Sequence, residues 1–162
     1  MATRRKLHPV ARLLEAFEAE EIRYMLIGMS AAIVQGVMGS TLDVDLWVDL
    51  PKRQYMRVQN IAARLGAAMG ANTVAFLEDG TPMNFVYEVN GLGTFEQEIK
   101  HTAWLEFSGK VIPVLKLERI LKSKEAIRRD KDLPHIVHIK NLLRCRRSAL
   151  KKKPAARKRS SK

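Results

Sequence analysis

The sequence has few of the features that mark secreted, membrane-spanning or multi-cysteine metal proteins. Cys145 is the only cysteine in 162 residues, which excludes an intramolecular disulfide and a zinc site built from several thiolates. No run of 18 apolar residues occurs, and no apolar segment follows the basic start of the chain. We therefore expect a cytoplasmic protein that has no membrane partner.

Acidic residues are missing from the last part of the chain. Residues 144–162 hold ten of the 29 lysines and arginines and none of the 17 acids, which leaves 19 basic against 17 acidic side chains in residues 1–143. The like charges repel and little apolar surface is available to bury, so we expect one folded domain, 1–143, and a disordered basic tail, 144–162. The tail could bind nucleic-acid phosphates, or serve only to keep the protein soluble.

The spacing of apolar residues predicts alternating helices and strands in the domain. Amphipathic helices are predicted at residues 8–21, 30–37, 117–127 and 133–143, and another follows Pro51. Short apolar runs predict strands at residues 24–27, 44–48, 73–77, 83–89, 103–107 and 110–114. Turn residues at 78–81 and 108–109 predict two antiparallel hairpins. The expected fold class is therefore α/β of the α+β kind, with helices packed on a mixed central sheet.

Two aspartates at the start of the second strand are the main candidates for chemistry. Alternate side chains of a strand share a face, so Asp43 and Asp45 lie on one face about 7 Å apart, opposite an apolar face. Their repulsion is relieved by a proton or a cation, and hard carboxylate oxygens suit Mg²⁺. The alternative is an acidic pair at a strand end with no function.

The turn after the first strand is a candidate phosphate site. Backbone N–H groups that follow Gly28, together with the Ser30 hydroxyl, could meet a phosphate at a helix N-terminus. The alternative is an ordinary strand-to-helix turn in which Ser30 caps the helix.

Residues 28–48, with the sequence GMSAAIVQGVMGSTLDVDLWV, resemble the nucleotidyltransferase superfamily, in particular small bacterial members related to abortive-infection toxins. The shared pattern is a glycine turn, a short helix, a second glycine, a hydroxyl pair and Asp-hydrophobic-Asp. The sequence departs from that pattern at Met29, Gln35 and Gly39. The resemblance implies that Asp43 and Asp45 are catalytic and hold Mg²⁺, with Mn²⁺ as an alternative, and that Gly28, Ser30 and Thr41 bind the nucleotide.

A second block, KLERILKSKEAIRRDKDLPHI at residues 116–136, is also similar to these relatives. The relatives carry a lysine in a helix, then an arginine, then Lys-Asp-Leu. The resemblance implies that Lys124 and Arg129 bind the nucleotide, and both could neutralise triphosphate charge. Without it, they would be read as the solvated face of a helix.

The third metal-binding carboxylate of the superfamily falls on an asparagine in this chain. In the register of the relatives it corresponds to Asn84, which could offer a neutral carbonyl oxygen to the metal but cannot act as a general base. Glu88 lies four residues further on the same strand, about 13 Å away, and could substitute only in a different register. Asn84 could also be a plain polar strand residue.

The resemblance implies a reaction in which an NTP donates its nucleoside monophosphate to an acceptor hydroxyl. The acceptor is left open among RNA, protein and a small molecule, and the toxin relatives imply an antitoxin as a candidate partner. Because Asn84, Met29 and Gly39 depart from the pattern, a non-catalytic relative that binds nucleotide, nucleic acid or a partner protein is the alternative.

Overall fold

A seven-stranded mixed sheet runs through the computed structural model, which describes residues 6–152. The strands are β1 (Tyr24–Ile27), β2 (Val44–Val48), β3 (Ala68–Ala71), β4 (Val74–Phe76), β5 (Pro82–Val86), β6 (Thr102–Phe107) and β7 (Lys110–Leu115), in the spatial order β3-β4-β5-β2-β1-β7-β6. The helices are α1 (Pro9–Ala19), α2 (Gly28–Val34), α3 (Tyr55–Arg64), α4 (Phe95–Glu98), α5 (Leu117–Ile127) and α6 (Leu133–Lys151). The expected mixed α/β architecture is confirmed.

The first helix forms as its apolar spacing predicts. Pro9 occupies its first turn, and the backbone N–H of Val10 donates to Nδ1 of His8 as an N-cap. Its apolar stripe, which includes Leu13 and Phe17, is buried. Phe17 meets Phe85 of β5 edge to face, with the ring centroids 6.1 Å apart. Thus α1 covers one face of the sheet.

The two central strands position the site. Every residue of β1 is buried, and β1 runs antiparallel to β2, whose other neighbour, β5, is parallel to it. The register places Ile27 beside Asp45 on one side and Asn84 beside Asp45 on the other. The end of β1, the start of β2 and the middle of β5 therefore meet at one point of the sheet.

The predicted hairpins are both present. β4 and β5 pair antiparallel across the turn at 78–81, and β6 and β7 pair antiparallel across Ser108 and Gly109. β6 forms one edge of the sheet, and β3 forms the other.

Two elements were not predicted from the sequence. β3 pairs with β4, although its residues are exposed and give no apolar pattern. The short α4 begins at a capping box in which Thr94 and Gln97 bond to each other's backbone N–H. This signal was readable, but it lay in a segment that we interpreted as loop.

The last helix is longer than predicted. α5 has its predicted bounds, whereas α6 continues from the predicted end at Leu143 to Lys151. The prediction stopped at Leu143 because the apolar pattern ends there, and indeed every residue from 144 to 152 is exposed. The part of the basic segment from 153 to 162 lies outside the described residues, and the division into a domain and a tail stays a prediction.

None of the helices formed by residues 6–152 combines the length and the apolar character needed to cross a membrane.

Candidate active site

A cavity of about 270 Å³ opens at the point where β1, β2 and β5 meet. Asp45 projects into it from β2, beside Asn84 from β5 and Gly28 from the end of β1. Lys124 of α5 and Arg129 of the following connection also line it. The structure thus brings together five of the residues that the sequence singled out.

Gly28 allows the Asp45 carboxylate to sit against the backbone. The prediction began α2 at residue 30, but the helix starts at Gly28 itself, with no intervening loop, because Gly28 adopts a φ of +68°. A Cβ added at this position would overlap Oδ2 of Asp45. No residue with a side chain fits here while the aspartate keeps its place.

Asp43 lies in the exposed loop before β2 and does not line the cavity, although its charge acts on Asp45. Its carbonyl oxygen accepts a hydrogen bond from Ser30 Oγ at 2.8 Å and another from Thr41 Oγ1 at 3.3 Å. Ser30 is buried. Both hydroxyls therefore donate to the backbone of the segment that carries the two aspartates, and their contact with a nucleotide stays a prediction.

The electrostatic surroundings of Asp45 favour a cation. Burial raises the pKa of this carboxyl above its ordinary value, and the nearby charge of Asp43 raises it further. A hydrogen bond from Asn84 and the charges of Lys124 and Lys131 lower the pKa, but burial is the largest influence. The neighbouring cations and the hydrogen bond from Asn84 thus do not fully offset the cost of burying the ionised Asp45 carboxylate.

Asn84 bonds directly to Asp45. Its side-chain Nδ2 donates to Oδ1 of Asp45 at 3.2 Å. The sequence predicted Asn84 as a metal ligand, and the register it assumed is the one observed. In residues 6–152 no three histidine, cysteine, aspartate or glutamate side chains converge as a set of metal ligands.

Lys124 and Arg129 share one buried partner, Asp132. The Lys124 ammonium lies 3.2 Å from Asp132 Oδ1, and Arg129 Nε lies 2.8 Å from Oδ2. The side chain of Asp132 is only 2% exposed, whereas that of Arg129 is 50% exposed. Burial alone would raise the pKa of Asp132, but the hydrogen bonds from Arg129 and Lys124 hold it below its ordinary value. The two cations are fixed at the cavity wall by this carboxylate.

The sequence analysis missed the roles of Asp132 and Lys131. Both belong to the Lys-Asp-Leu segment within residues 116–136, which resembles the nucleotidyltransferase relatives. Lys131 is exposed, and its charge acts on Asp45. The alternation of opposite charges over residues 129–132 was the signal that could have identified the ion-pair cluster.

A second cavity, of about 700 Å³, adjoins the first. The two share Glu88, Val89 and Asn90, which lie beyond the end of β5. The chain leaves the sheet at Val86, so Glu88 lines the cavity that holds Asp45 even though the β5 register is the predicted one. The strand distance that argued against Glu88 does not apply beyond Val86.

No model of a known protein family matches the sequence, and no curated protein matches it at a significant level. Two solved structures resemble the fold. One is the lincosamide antibiotic adenylyltransferase LnuA, solved with lincomycin bound, with a TM-score of 0.57 at 14% sequence identity. The match includes 84% of the residues of this chain and 98% of those of LnuA. A candidate nucleotidyltransferase from Thermotoga maritima has a TM-score of 0.51 at 15% identity and covers 91% of this chain and 99% of its own.

At such low identity the likeness concerns the arrangement of the backbone. Both neighbours are matched over almost their whole length. The chain therefore has the nucleotidyltransferase fold.

Proposed function

We propose that this protein is a nucleotidyltransferase that moves a nucleoside monophosphate from an NTP to an acceptor hydroxyl with the help of Mg²⁺ and releases pyrophosphate. The observation that carries the proposal is the single cavity in which Asp45, packed on the Gly28 backbone, faces Lys124 and Arg129. A carboxylate and two cationic side chains in one cavity match the needs of a metal-bound triphosphate.

The carboxylates fit a divalent cation. Asp43 and Asp45 are close enough for the charge of one to raise the pKa of the other, and burial of Asp45 adds to the demand for a counter-charge. Mg²⁺ prefers one or two protein carboxylates, with waters and substrate phosphates completing its shell, and Mn²⁺ accepts the same oxygen ligands. When bound, the ion would neutralise and polarise the phosphate being attacked.

The cationic wall would hold the remaining phosphate charge. Arg129 is half exposed, so part of its guanidinium is free to contact a phosphate, and Asp132 keeps it and Lys124 in place without ligand-induced rearrangement. The Gly28 turn presents backbone N–H groups on the opposite side. These residues would align the NTP with its α-phosphorus toward the neighbouring cavity.

The adjoining cavity is the candidate site for the acceptor. Its volume of about 700 Å³ suits a small molecule, since pockets of 300 to 1,000 Å³ are usual for such ligands. Glu88 lines both cavities, which makes it the candidate group to accept the proton of the attacking hydroxyl. LnuA acts on a lincosamide antibiotic, and a hydroxylated small molecule is accordingly our first choice of acceptor over RNA or protein. A toxin role with an antitoxin partner is retained as a proposal from the sequence resemblance.

The test is transfer of label from NTPs that carry ³²P at the α-phosphate. The protein is incubated with Mg²⁺ and pools of hydroxylated small molecules, RNA or protein. We expect labelled product from the wild type and none from the double variant Asp43→Ala with Asp45→Ala. Glu15→Ala with Glu106→Ala removes two exposed carboxylates away from the cavity and should retain activity. Transfer that survives in the aspartate variant would refute the mechanism.

A second candidate, nucleotide binding without transfer, is favoured by one observation. The position beside Asp45 that would hold a third carboxylate holds Asn84, whose amide donates to Asp45. Calorimetric titration with each NTP, with and without Mg²⁺, separates the candidates. Tight Mg²⁺-dependent binding with no labelled product in any pool would support the binding protein.

A further inference from the structure

Asn84 and Asp45 form a matched pair across two parallel strands. They are direct neighbours in the β2–β5 register, so their side chains rise from the same face of the sheet. The Asn84 amide donates to one carboxylate oxygen of Asp45 at 3.2 Å. That oxygen is thereby partly engaged, and the NH₂ end of the amide, which repels cations, is the end turned toward the aspartate.

The ionic groups around the cavity leave little negative charge for metals. Asp132 lines it but is already paired with both Lys124 and Arg129. Glu88 is an exposed residue beyond β5, and it joins no group of three metal-ligating side chains within residues 6–152. The uncompensated acids at the Gly28 turn are therefore Asp43 and Asp45.

Two carboxylates balance the charge of one divalent cation. Centres with two metal ions hold them about 3.5–4 Å apart, and acidic ligands must offset the repulsion between them. A second ion here would approach Lys124 and Lys131, whose charges already reach Asp45, without a third carboxylate to offset it.

We propose that this centre takes a single divalent cation, and that Asn84 sets that number by donating to Asp45 where a third carboxylate would admit a second ion. The inference rests on the proposed function, since it concerns the metal of the same site. Asn84 is thus a positioning residue for Asp45 and not a metal ligand. The variant Asn84→Asp should create the second position.

The experiment counts Mn²⁺ bound per protein by electron paramagnetic resonance without nucleotide, so that the negative charge of a triphosphate cannot hold an additional ion. We expect one equivalent in the wild type, one in Asn84→Ala and two in Asn84→Asp. The matched control is Asn90→Asp, because Asn90 lines the same cavity but is not a strand neighbour of Asp45. It should bind one.

The outcomes are distinct. Two equivalents in the wild type, or one in a folded Asn84→Asp protein, would overturn the inference and leave the proposed function standing. If Asn84→Asp does not fold, as judged by circular dichroism, the counts for the wild type and Asn84→Ala still decide whether the unaltered centre holds one ion. No Mn²⁺ bound to the wild type, or binding unaffected by loss of Asp43 and Asp45, would contradict the proposed function itself.

Discussion

A single glycine determines whether the Asp45 carboxylate can reach its place. The variant Gly28→Ala adds a Cβ that would overlap Asp45 Oδ2, and it forces alanine into a φ of +68°. We expect it to lose Mg²⁺-dependent nucleotide binding and to be destabilised by more than about 1 kcal/mol, the usual cost of the backbone strain alone. Calorimetry and urea unfolding measure the two effects.

Gly80→Ala is the control for that strain. Gly80 has a similar φ of +84°, but nothing lies within 4 Å of an added Cβ. It should lose about 1 kcal/mol of unfolding free energy and bind nucleotide normally. Equal binding by the two variants would mean that the carboxylate does not depend on the Gly28 contact.

The charge on Asp45 should cost the metal-free protein stability. A carboxyl whose pKa is raised by folding binds its proton more tightly in the folded than in the unfolded state, so its ionised form is destabilising above that pKa. We expect Asp45→Asn to raise the unfolding free energy at pH 7 by roughly 1 kcal/mol without metal. The gain should fade as the pH falls through the raised pKa and vanish below the ordinary value of 3.8.

Urea unfolding across this pH range, with EDTA present, measures the effect of Asp45→Asn. Added Mg²⁺ should stabilise the wild type and leave the variant unchanged. A variant less stable than the wild type at pH 7 in EDTA would show that the carboxylate is compensated by other means.

Asp132 should be worth more to stability than an exposed acid. Asp132→Asn leaves Lys124 and Arg129 without their buried counter-charge, and since Arg129 is half exposed we expect a loss of about 2 kcal/mol, below the full cost of breaking a buried pair. The matched control is Asp49→Asn, whose partner Arg23 is 52% exposed, and it should cost less than about 1 kcal/mol. Nucleotide affinity should fall only in Asp132→Asn.

At the scale of elements, the connection between α5 and α6 carries local strain near the site. Arg128 ends α5 with a left-handed φ of 53°, and its N–H donates to the Lys124 carbonyl at 2.8 Å. This turn directs Arg129 back to Asp132. We expect Arg128→Gly to raise the unfolding free energy by about 0.5–1 kcal/mol, because glycine adopts this conformation without penalty.

The comparison for Arg128→Gly is Glu118→Gly, at an exposed position inside the same helix. That variant should lose about 1 kcal/mol. Thermal unfolding of both proteins is the measurement, and a destabilised Arg128→Gly protein would mean that the arginine side chain contributes more than the strain costs.

The elements that the sequence predicted correctly are those that bury apolar side chains in a regular period. β1, β2 and α5 have their predicted bounds, and the apolar residues of β1 and β2 are buried throughout. No residue of β3 is buried, so this strand depends on its backbone pairing with β4. The pattern of apolar residues therefore could not predict it. Helix α2 begins two residues earlier than predicted, because Gly28 adopts a positive φ and no loop separates β1 from the helix. A glycine allows this conformation but does not require it, so the sequence could not predict it.

The site was predictable to the same extent. Strand alternation singled out the two aspartates, whereas Asn84 was identified only from the resemblance to the relatives; the structure pairs it with Asp45. The pairing of Lys124 and Arg129 with Asp132 depends on the conformation of the connection between α5 and α6. The spacing of apolar residues does not predict that conformation. The position of Glu88 depends on where β5 ends.

At the scale of the whole molecule, positive charge is gathered on the part of α6 that extends past the core. Every residue from 144 to 152 is exposed, and Arg146 reaches back to the Gln35 carbonyl near the end of α2. If nucleic acid binds this region, replacing Arg144 and Arg147 by Gln should weaken binding of single-stranded RNA and reduce its salt dependence by up to about two charges.

Fluorescence anisotropy at several salt concentrations measures that RNA binding. The control replaces Arg53 and Arg57 by Gln, which removes the same charge from exposed positions outside α6. Deletion of residues 144–162 should have a larger effect in the same direction. If both double variants lost RNA affinity equally, binding would depend only on the net charge of the protein.

The middle position of β2 among the seven strands links correct folding to an assembled centre. A slip of β2 by one residue against β1 would bring Val44 or Leu46 over Gly28 and drive a carboxylate into the apolar layer beneath Phe17. Such a misaligned sheet would lose its most buried contacts at once. A chain that has closed this sheet has consequently also placed Asp45 beside Ile27 and Asn84, so a well-folded species with a misplaced Asp45 should not accumulate during refolding.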